Sequence, residues 1–142
     1  MFGGNVGLVY TEITLKNAFD VGNAQRGTIA EKEIRAVAVQ ALVDTGSGTL
    51  GITEEVREKL GLTVQGLRSA ELADGGKQVC RLTEPVDIHW KDRLCTCRAL
   101  VIPGAKDVLL GAIPLEDMDL TVHPAGNDLT GAHGDEIVCM LK

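Results

Sequence analysis

The sequence predicts an all-β protein, built as a closed or nearly closed barrel with one or two short helices. Short runs rich in Val, Ile, Leu and Thr recur along the chain, and Gly, Asp and Pro separate them as turn signals. Seventeen glycines suit many tight turns, while aromatic residues make up only 3%, so aliphatic side chains must build the core. A length of 142 residues fits one domain.

The composition argues against several classes of function. The formal net charge is −6 and the chain has no basic stripe or aromatic platform, so we expect no nucleic-acid partner. The longest apolar run is far shorter than a membrane span. Residues 1–4 (Met-Phe-Gly-Gly) lack the charged and apolar regions of a secretory signal. We therefore expect a cytoplasmic protein without a membrane partner.

The first third of the chain predicts two strands. Residues 7–15 are rich in β-branched side chains and read as the first strand. Residues 17–33 are polar, contain glycine and show no clear period, so we expect a long inserted loop there. Residues 34–43 return as an apolar strand that delivers Asp44.

Asp44 stands at the end of this strand, with Thr45 and Gly46 after it. Asp is depleted in strands and is seldom buried without a partner, so a carboxylate here indicates a chemical role. Gly46 allows a sharp turn or a positive φ beside the acid. The simpler interpretation is a strand that ends in an Asx turn, because Ser47 completes a run of turn residues. The Asp-Thr-Gly motif alone leaves both interpretations open, a chemical role for Asp44 and a simple turn.

A short helix is predicted over residues 53–62. Thr53 can cap its N-terminus, and Glu54 and Glu55 suit the positive end of the helix dipole. Gly61 can adopt the left-handed conformation that ends a helix. We expect this helix to cover one end of the barrel.

Residues 64–72 and 78–82 predict a hairpin. The sequence between them provides the positive φ values of a primed turn. This turn consists of Ala73, Asp74, Gly75, Gly76 and Lys77. From the local sequence alone, an ordinary surface hairpin is the better interpretation.

The second half of the chain continues the β pattern. Residues 85–90 and 94–102 predict another hairpin, and residues 108–111 form a short apolar strand that ends in glycine. A brief helix follows over residues 112–118, with Pro114 in its first turn.

These parts together resemble the retropepsin-like aspartic proteases, the single-domain type found in retroviruses, and their small bacterial relatives. The shared features are an apolar strand ending in Asp-Thr-Gly-Ser, a glycine-bearing hairpin called the flap, and an apolar-apolar-Gly element before a short helix. All three occur in this order within residues 9–122. The resemblance implies a closed acid-protease barrel as one domain over residues 1–142, with the longer loop near 17–33 and a C-terminal extension after 122.

The resemblance also implies roles for single residues. Asp44 would be the catalytic acid and base, Thr45 would hydrogen-bond across a two-fold axis, and Gly46 would allow close backbone approach. The turn at residues 73–77 would bind the substrate backbone as an added strand. Gly111 would pack behind the catalytic loop.

A homodimer follows from the chemistry of hydrolysis. One carboxylate cannot supply both the base and the acid, whereas two carboxyl groups about 3 Å apart share one proton, as in aspartic proteases generally. Asp44 therefore needs its symmetry mate, and the expected activity is endopeptidase cleavage of extended polypeptides without a cofactor. The apolar residues 137–141 are predicted to be docked and to form part of the interface. Retroviral enzymes carry Asp and Arg where this chain has Gly48 and Ala112, so substrate contacts and dimer stability should differ.

Two other interpretations stay open. One is a non-catalytic dimeric module of the same fold that binds peptides, although the intact Asp-Thr-Gly motif favours catalysis. The other is a thiol or metal site built from Cys80, Cys95 and Cys97. The spacing of these cysteines matches no zinc pattern, so we expect reduced structural thiols and no metal.

Overall fold

The computed structural model of the protein describes residues 8–126 and 128–141. The strands are β1 Val9–Asn17, β2 Ala36–Val43, β3 Leu50–Ile52, β4 Val64–Glu71, β5 Lys77–Trp90, β6 Arg93–Val101, β7 Val108–Leu110, β8 Leu120–His123 and β9 Asp128–Gly131. The helices are α1 Ala18–Gln25, α2 Glu54–Leu60 and α3 Ala112–Asp117, with 3-10 turns at Glu31–Glu33 and Pro124–Gly126. Gly7, the predicted first residue of β1, lies outside the described residues.

Six strands form the barrel, in the order β1, β2, β7, β3, β6 and β5. The barrel closes because β5 also pairs with β1, from Thr14 opposite His89 to Asn17 opposite Val86. The β2–β7 and β3–β6 pairs are parallel, and the other pairs are antiparallel. This topology confirms the predicted all-β closed barrel with short helices.

The core lies inside the barrel. Its members are mainly Val, Leu, Ile and Ala side chains that alternate with residues on the outer face, the period expected of strands. In β3, Leu50 and Ile52 are fully buried in this core, so Gly51 between them faces the other side of the sheet. Burial on this scale is the main term that stabilises a domain of this size. Within the described ranges, no helix combines the length and apolar character needed to cross a membrane.

The prediction of a loop over residues 17–33 is wrong, because this segment contains α1. Asn17 caps the helix, and its side chain accepts a hydrogen bond from the Asp20 backbone N–H at 3.1 Å. The Asp20 carboxylate then binds the Arg35 guanidinium through two hydrogen bonds of 2.8 and 2.9 Å. Asp20 is the only buried residue of α1, so the helix packs without an apolar stripe. It is held by its N-cap and by the Asp20–Arg35 ion pair.

Helix α2 confirms its predicted start and stop. The Thr53 hydroxyl accepts a hydrogen bond from the Val56 N–H at 3.1 Å. Gly61 takes the left-handed conformation, with φ 61° and ψ 34°, at the C-terminal end. Leu62 follows directly after it, is buried and belongs to the core.

The C-terminal segment differs from the prediction. Residues 137–141 are not docked in the protomer and form no strand. Met140 is 85% exposed and Leu141 is 91% exposed. The Val138 N–H donates to the Asp119 carboxylate at 3.0 Å. The apolar side chains of Met140 and Leu141 after it do not pack against the core.

Candidate active site

Asp44 lies directly after β2, beside the end of its parallel neighbour β7. The Asp44 N–H donates to the Leu110 carbonyl oxygen at 3.0 Å, and the Asp44 carbonyl oxygen accepts from the Ser47 N–H at 3.0 Å. The carboxylate itself accepts a hydrogen bond from the Gly46 N–H at 3.0 Å. We call residues 44–48 the Asp44 loop. The loop is therefore a tight turn that fixes a half-buried carboxylate at one end of the barrel.

Gly46 serves this turn without a positive φ, so the left-handed option considered from the sequence is not used. A Cβ atom at this position would lie 3.3 Å from the Asp44 Oδ1 atom. Glycine thus leaves room for the hydrogen bond between its own N–H and that carboxylate.

Gly111 packs behind the Asp44 loop. A Cβ atom at Gly111 would lie 2.2 Å from the Thr49 carbonyl oxygen and 2.6 Å from that of Ser47, so only glycine fits. The next N–H, of Ala112, donates to the Ser47 carbonyl oxygen at 2.7 Å. Backbone hydrogen bonds from the start of α3 therefore hold this loop, with Gly48 and Ala112 where retroviral enzymes carry an Asp and an Arg.

The flap hairpin comprises residues 64–82, from the start of β4 into the first part of β5. The Leu72 N–H donates to the Gly76 carbonyl oxygen at 2.7 Å, and the Gly75 N–H donates to the Leu72 carbonyl oxygen at 2.9 Å. Gly75 is left-handed, with φ +87°, whereas neither Ala73 nor Asp74 has a positive φ. The predicted primed turn is therefore wrong in detail, because the structure has a turn that ends in a left-handed glycine.

A cleft of about 500 Å³ separates the Asp44 loop from the flap hairpin. It is lined by Asp44, Gly46, Ser47, Thr49, Gly51, Ala70, Glu71, Leu72, Ala73, Gln78, Cys80, Leu100, Ile102 and Leu109. Of the predicted site residues, the structure thus brings together Asp44, Gly46 and Ala73. Thr45 is exposed and lies outside this lining, as do residues 74–77 at the flap tip.

Thr45 has no hydrogen-bond partner in the protomer, as far as residues 8–126 and 128–141 show. Its side chain is exposed at the surface beside Asp44. A hydroxyl that can both donate and accept is thus available to a group outside this protomer.

The sequence reasoning missed the floor of the cleft. Gly51 of β3 pairs with Leu100 of β6 on one side and with Leu109 of β7 on the other. Leu109 alternates with two core residues, Val108 and Leu110, and so faces away from the core. That alternation was readable in the sequence, but the strand neighbours that join these residues into one surface were not.

An ion-pair network joins the flap hairpin to α2. The Glu54 carboxylate accepts hydrogen bonds from Arg57, one of them at 2.6 Å, and from Arg81 in β5. These two guanidinium groups lower the pKa of Glu54 to about 2. The groups are exposed, so the network positions the base of the hairpin more than it stabilises the fold.

The cysteines are free thiols. Cys80 is buried and lines the cleft, and burial raises the pKa of its thiol. Across the described part of the chain, no three side chains of His, Cys, Asp or Glu come together as a possible metal site.

The sequence matches the family model described as "Aspartyl protease" over residues 27–124, a span that includes the Asp44 loop, the flap hairpin and Gly111. No curated protein sequence matches significantly. Among solved structures, a retropepsin-like aspartic protease from Rickettsia conorii is similar, with 16% identity and a TM-score of 0.46 over 82% of this chain and 87% of that one. The family match covers more than half of the sequence, and the chain therefore belongs to the aspartyl protease family.

Proposed function

We propose that this protein is an aspartic endopeptidase whose active site forms in a homodimer from Asp44 of each protomer. The observation that carries the proposal is the position of Asp44. Its carboxylate lies in an open cleft between the hydrogen-bonded Asp44 loop and a hairpin whose tip contains two glycines. Membership of the aspartyl protease family supports hydrolysis as the reaction.

Among the described residues of a single protomer, the cleft offers no second acid on the Asp44 loop itself. Its lining contains two carboxylates, Asp44 and Glu71. Glu71 is an exposed residue at the end of β4, in the flap hairpin on the other side of the cleft from the Asp44 loop. A second Asp44 related by two-fold symmetry is therefore the better source of the missing acid. The Thr45 hydroxyl is exposed and has no partner among the described residues of the protomer, which supports a contact across the same axis.

The proposed reaction uses one water molecule between the two carboxyl groups. The pair holds a single proton, because two negative charges about 3 Å apart repel each other. The ionised carboxylate takes a proton from the water, whose oxygen attacks the peptide carbonyl carbon, and the other carboxyl group gives its proton to the carbonyl oxygen. The C–N bond of the resulting diol then breaks: the amine nitrogen takes the proton now held by the first carboxyl group, and one diol hydroxyl gives its proton to the other carboxylate. The products are an amine and a carboxylic acid, and the pair again holds one proton.

The proposed substrate is an extended, largely apolar peptide segment. A strand-like peptide can form backbone hydrogen bonds with the flap tip at residues 73–77, which is the usual way in which an extended peptide is added to a hairpin. The cleft floor offers Leu100 and Leu109, so side chains that face it should be apolar.

The test is a digest of a mixed peptide library at several pH values with wild type and Asp44→Asn. We expect cleavage by wild type at mildly acidic pH and its loss on the alkaline side, where both carboxyl groups of the pair lose their protons. Asp44→Asn should bind peptides without cutting them. Equal cleavage by the variant, or loss of activity with chelators in place of the mutation, would contradict the mechanism. Binding without cleavage by wild type would identify a peptide-binding module.

A further inference from the structure

We infer that Cys95 and Cys97 form a reversible oxidation site, at which a peroxide converts the two thiols into a disulfide and thereby switches off the neighbouring cleft. The two thiols take no part in the proposed reaction. Formation of the disulfide is independent of the proposed function, whereas its effect on cleavage rests on that function.

The two cysteines lie on the same face of β6. Cys95 is buried in the core and Cys97 packs against the core, while Thr96 between them is exposed on the outer face. The two side chains share a hydrogen bond, in which the Cys95 thiol donates to the Cys97 sulfur. Because Cys97 is only half-buried, a small oxidant can reach its sulfur from solvent, with the Cys95 thiol already in contact with it.

The surroundings of the Cys97 sulfur favour the thiolate, which is the form that reacts with peroxides. The hydrogen bond from Cys95 lowers the pKa of the Cys97 thiol. Hydrogen bonds from the Thr49 side chain and the Leu50 N–H act in the same direction, while burial and the Asp117 carboxylate oppose them. The shared hydrogen bond, together with burial, raises the pKa of the Cys95 thiol, so Cys97 is the thiol that a peroxide oxidises first.

The oxidation takes two steps. The Cys97 thiolate attacks one oxygen of hydrogen peroxide, the O–O bond breaks, and the leaving hydroxide takes up a proton as water, which leaves a sulfenic acid at Cys97. The Cys95 sulfur then attacks the Cys97 sulfur, the S–O bond breaks, and the Cys95 thiol proton leaves with the hydroxide as a second water. The Asp117 carboxylate accepts a hydrogen bond from the Cys95 thiol and is placed to carry that proton. Two electrons pass from the thiols to the peroxide, and a dithiol reverses the change.

A disulfide between these residues must shorten β6. Two residues of one face of a regular strand have Cα atoms about 6.6 Å apart, close to the upper limit of about 6.8 Å for a disulfide. Closing the bond therefore draws Cys95 and Cys97 together around Thr96. The strain makes the bond easy to reduce, which suits a reversible modification.

The shortening acts on the segment that follows the Asp44 loop. Thr49 is the first residue after that loop and lines the cleft. Its hydroxyl shares a hydrogen bond between the Cys97 sulfur and the carbonyl oxygen of Arg98, the latter 3.4 Å away. The Leu50 N–H is bound to the same sulfur. A disulfide withdraws the Cys97 sulfur from both partners, so oxidation should displace Thr49 and lower cleavage.

The experiment treats wild type with hydrogen peroxide and then blocks the remaining free thiols. Trypsin cleaves after Arg93 and Arg98, so both thiols fall in one peptide, residues 94–98, which contains no other cysteine. We expect mass spectrometry to find this peptide lighter by two hydrogen atoms and without the blocking group. Dithiothreitol should restore both thiols. Cleavage by the oxidised protein should fall at least about ten-fold and return with the same reductant.

Three variants separate the parts of the inference. In Cys97→Ser no oxidised peptide should form, and its cleavage should not change with peroxide. In Cys95→Ser, a diketone probe for sulfenic acids should label Cys97, because the second step cannot follow. Cys139→Ser, at the exposed cysteine, is the matched control and should oxidise like wild type. If Cys95→Ser does not fold, Cys97→Ser and the wild-type peptide decide the question.

The outcomes distinguish the oxidation site from the proposed function. Two free thiols in residues 94–98 of peroxide-treated wild type would overturn the site. Equal inactivation of Cys97→Ser and wild type by peroxide would overturn its effect on the cleft. Absence of cleavage by the reduced wild type, with the disulfide still formed on oxidation, would overturn the proposed function and support the site.

Discussion

A Cβ atom at Gly111 would lie 2.2 Å from the Thr49 carbonyl oxygen and 2.6 Å from the Ser47 carbonyl oxygen. These backbone atoms belong to the Asp44 loop and to the residue directly after it, so a side chain at position 111 would push against the segment that positions the carboxylate. Glycine at this position is therefore a requirement of close packing and not of backbone conformation, because its φ of −92° is open to any residue.

We expect Gly111→Ala to lower both stability and activity. The methyl group must push the Asp44 loop outward, which should lower the free energy of unfolding by about 1 to 3 kcal/mol. Because this displaces the Asp44 carboxylate, kcat should also fall, by a larger factor than the loss of folded protein explains. Thermal unfolding and steady-state kinetics measure the two effects. Gly126→Ala, where a Cβ atom meets nothing within 4 Å, is the matched control. Normal kcat in Gly111→Ala would show that the loop tolerates displacement.

Asp20 provides a stability prediction with a defined pH dependence. Hydrogen bonds from the Arg35 side chain lower the pKa of Asp20 below its usual value. A carboxylate with a lowered pKa stabilises the fold above the unfolded pKa of about 4, and this contribution is lost as the pH falls through the folded pKa. Asp20→Asn should therefore lower the free energy of unfolding at pH 7 by about 1 to 2 kcal/mol, a modest value because Arg35 is half exposed.

Urea titrations of Asp20→Asn and wild type at pH 7 and at pH 2 measure this effect. The difference between the two proteins should shrink towards zero at the lower pH. Asp135→Asn, at an exposed residue, should match wild type at both pH values. An equal loss of stability at both pH values would show that the ion pair is not the cause.

Single residues were predictable where their role is local. Asp44 after its strand, Thr53 as a helix cap and Gly61 as a helix stop each act within a few residues of sequence. Gly51 was not predictable, because its role depends on strand neighbours that lie about 50 residues away in the chain.

Among the elements, the flap hairpin and α2 form a connected pair. Arg81 in β5 forms an ion pair with Glu54 at the start of α2. This ion pair joins the base of the hairpin to α2, while the tip of the hairpin is exposed. The pKa of Glu54 is lowered to about 2, so this ion pair should persist at the mildly acidic pH at which we expect cleavage.

We expect Arg81→Gln to loosen the flap hairpin. Loss of the Arg81–Glu54 ion pair should raise amide hydrogen exchange over residues 64–82. It should also raise KM with a smaller effect on kcat, because the hairpin spends less time over the substrate. Exchange followed by mass spectrometry measures the first effect. Arg68→Gln, at an exposed arginine of β4, is the control in the same hairpin. Exchange in Arg81→Gln that equals the control would contradict the role of this ion pair.

Elements with a clear apolar pattern were predictable, and α1 was not. Its sequence has no apolar period, and it is held by the Asn17 cap and by an Asp20–Arg35 pair whose members lie 15 residues apart. The barrel closure between β1 and β5 is likewise a tertiary pairing that no local pattern specifies.

At the scale of the whole molecule, the exposed C-terminal residues are the feature that bears most on assembly. Residues 137–141 carry four large apolar side chains that a lone protomer leaves in solvent. We propose that a symmetric partner covers these side chains in the dimer. Their predicted docking is wrong within one protomer, and the proposed role in the interface is still to be tested.

Deletion of residues 136–142 should weaken dimerisation by at least about ten-fold, because the apolar surface of the interface would be lost. Sedimentation velocity over a concentration series measures this. The double variant Met140→Ser, Leu141→Ser keeps the chain length and should show a smaller shift in the same direction. Unchanged dimerisation in both proteins would remove this segment from the interface.

The shared active site is the central claim, and subunit mixing tests it most directly. Wild type at a fixed concentration is allowed to exchange subunits with increasing amounts of Asp44→Asn, and peptide cleavage is followed. If each site needs Asp44 from both protomers, an equal amount of variant should reduce cleavage to about half, and excess variant should abolish it. If cleavage stays constant at every ratio once subunit exchange is complete, each protomer works alone and the account is wrong.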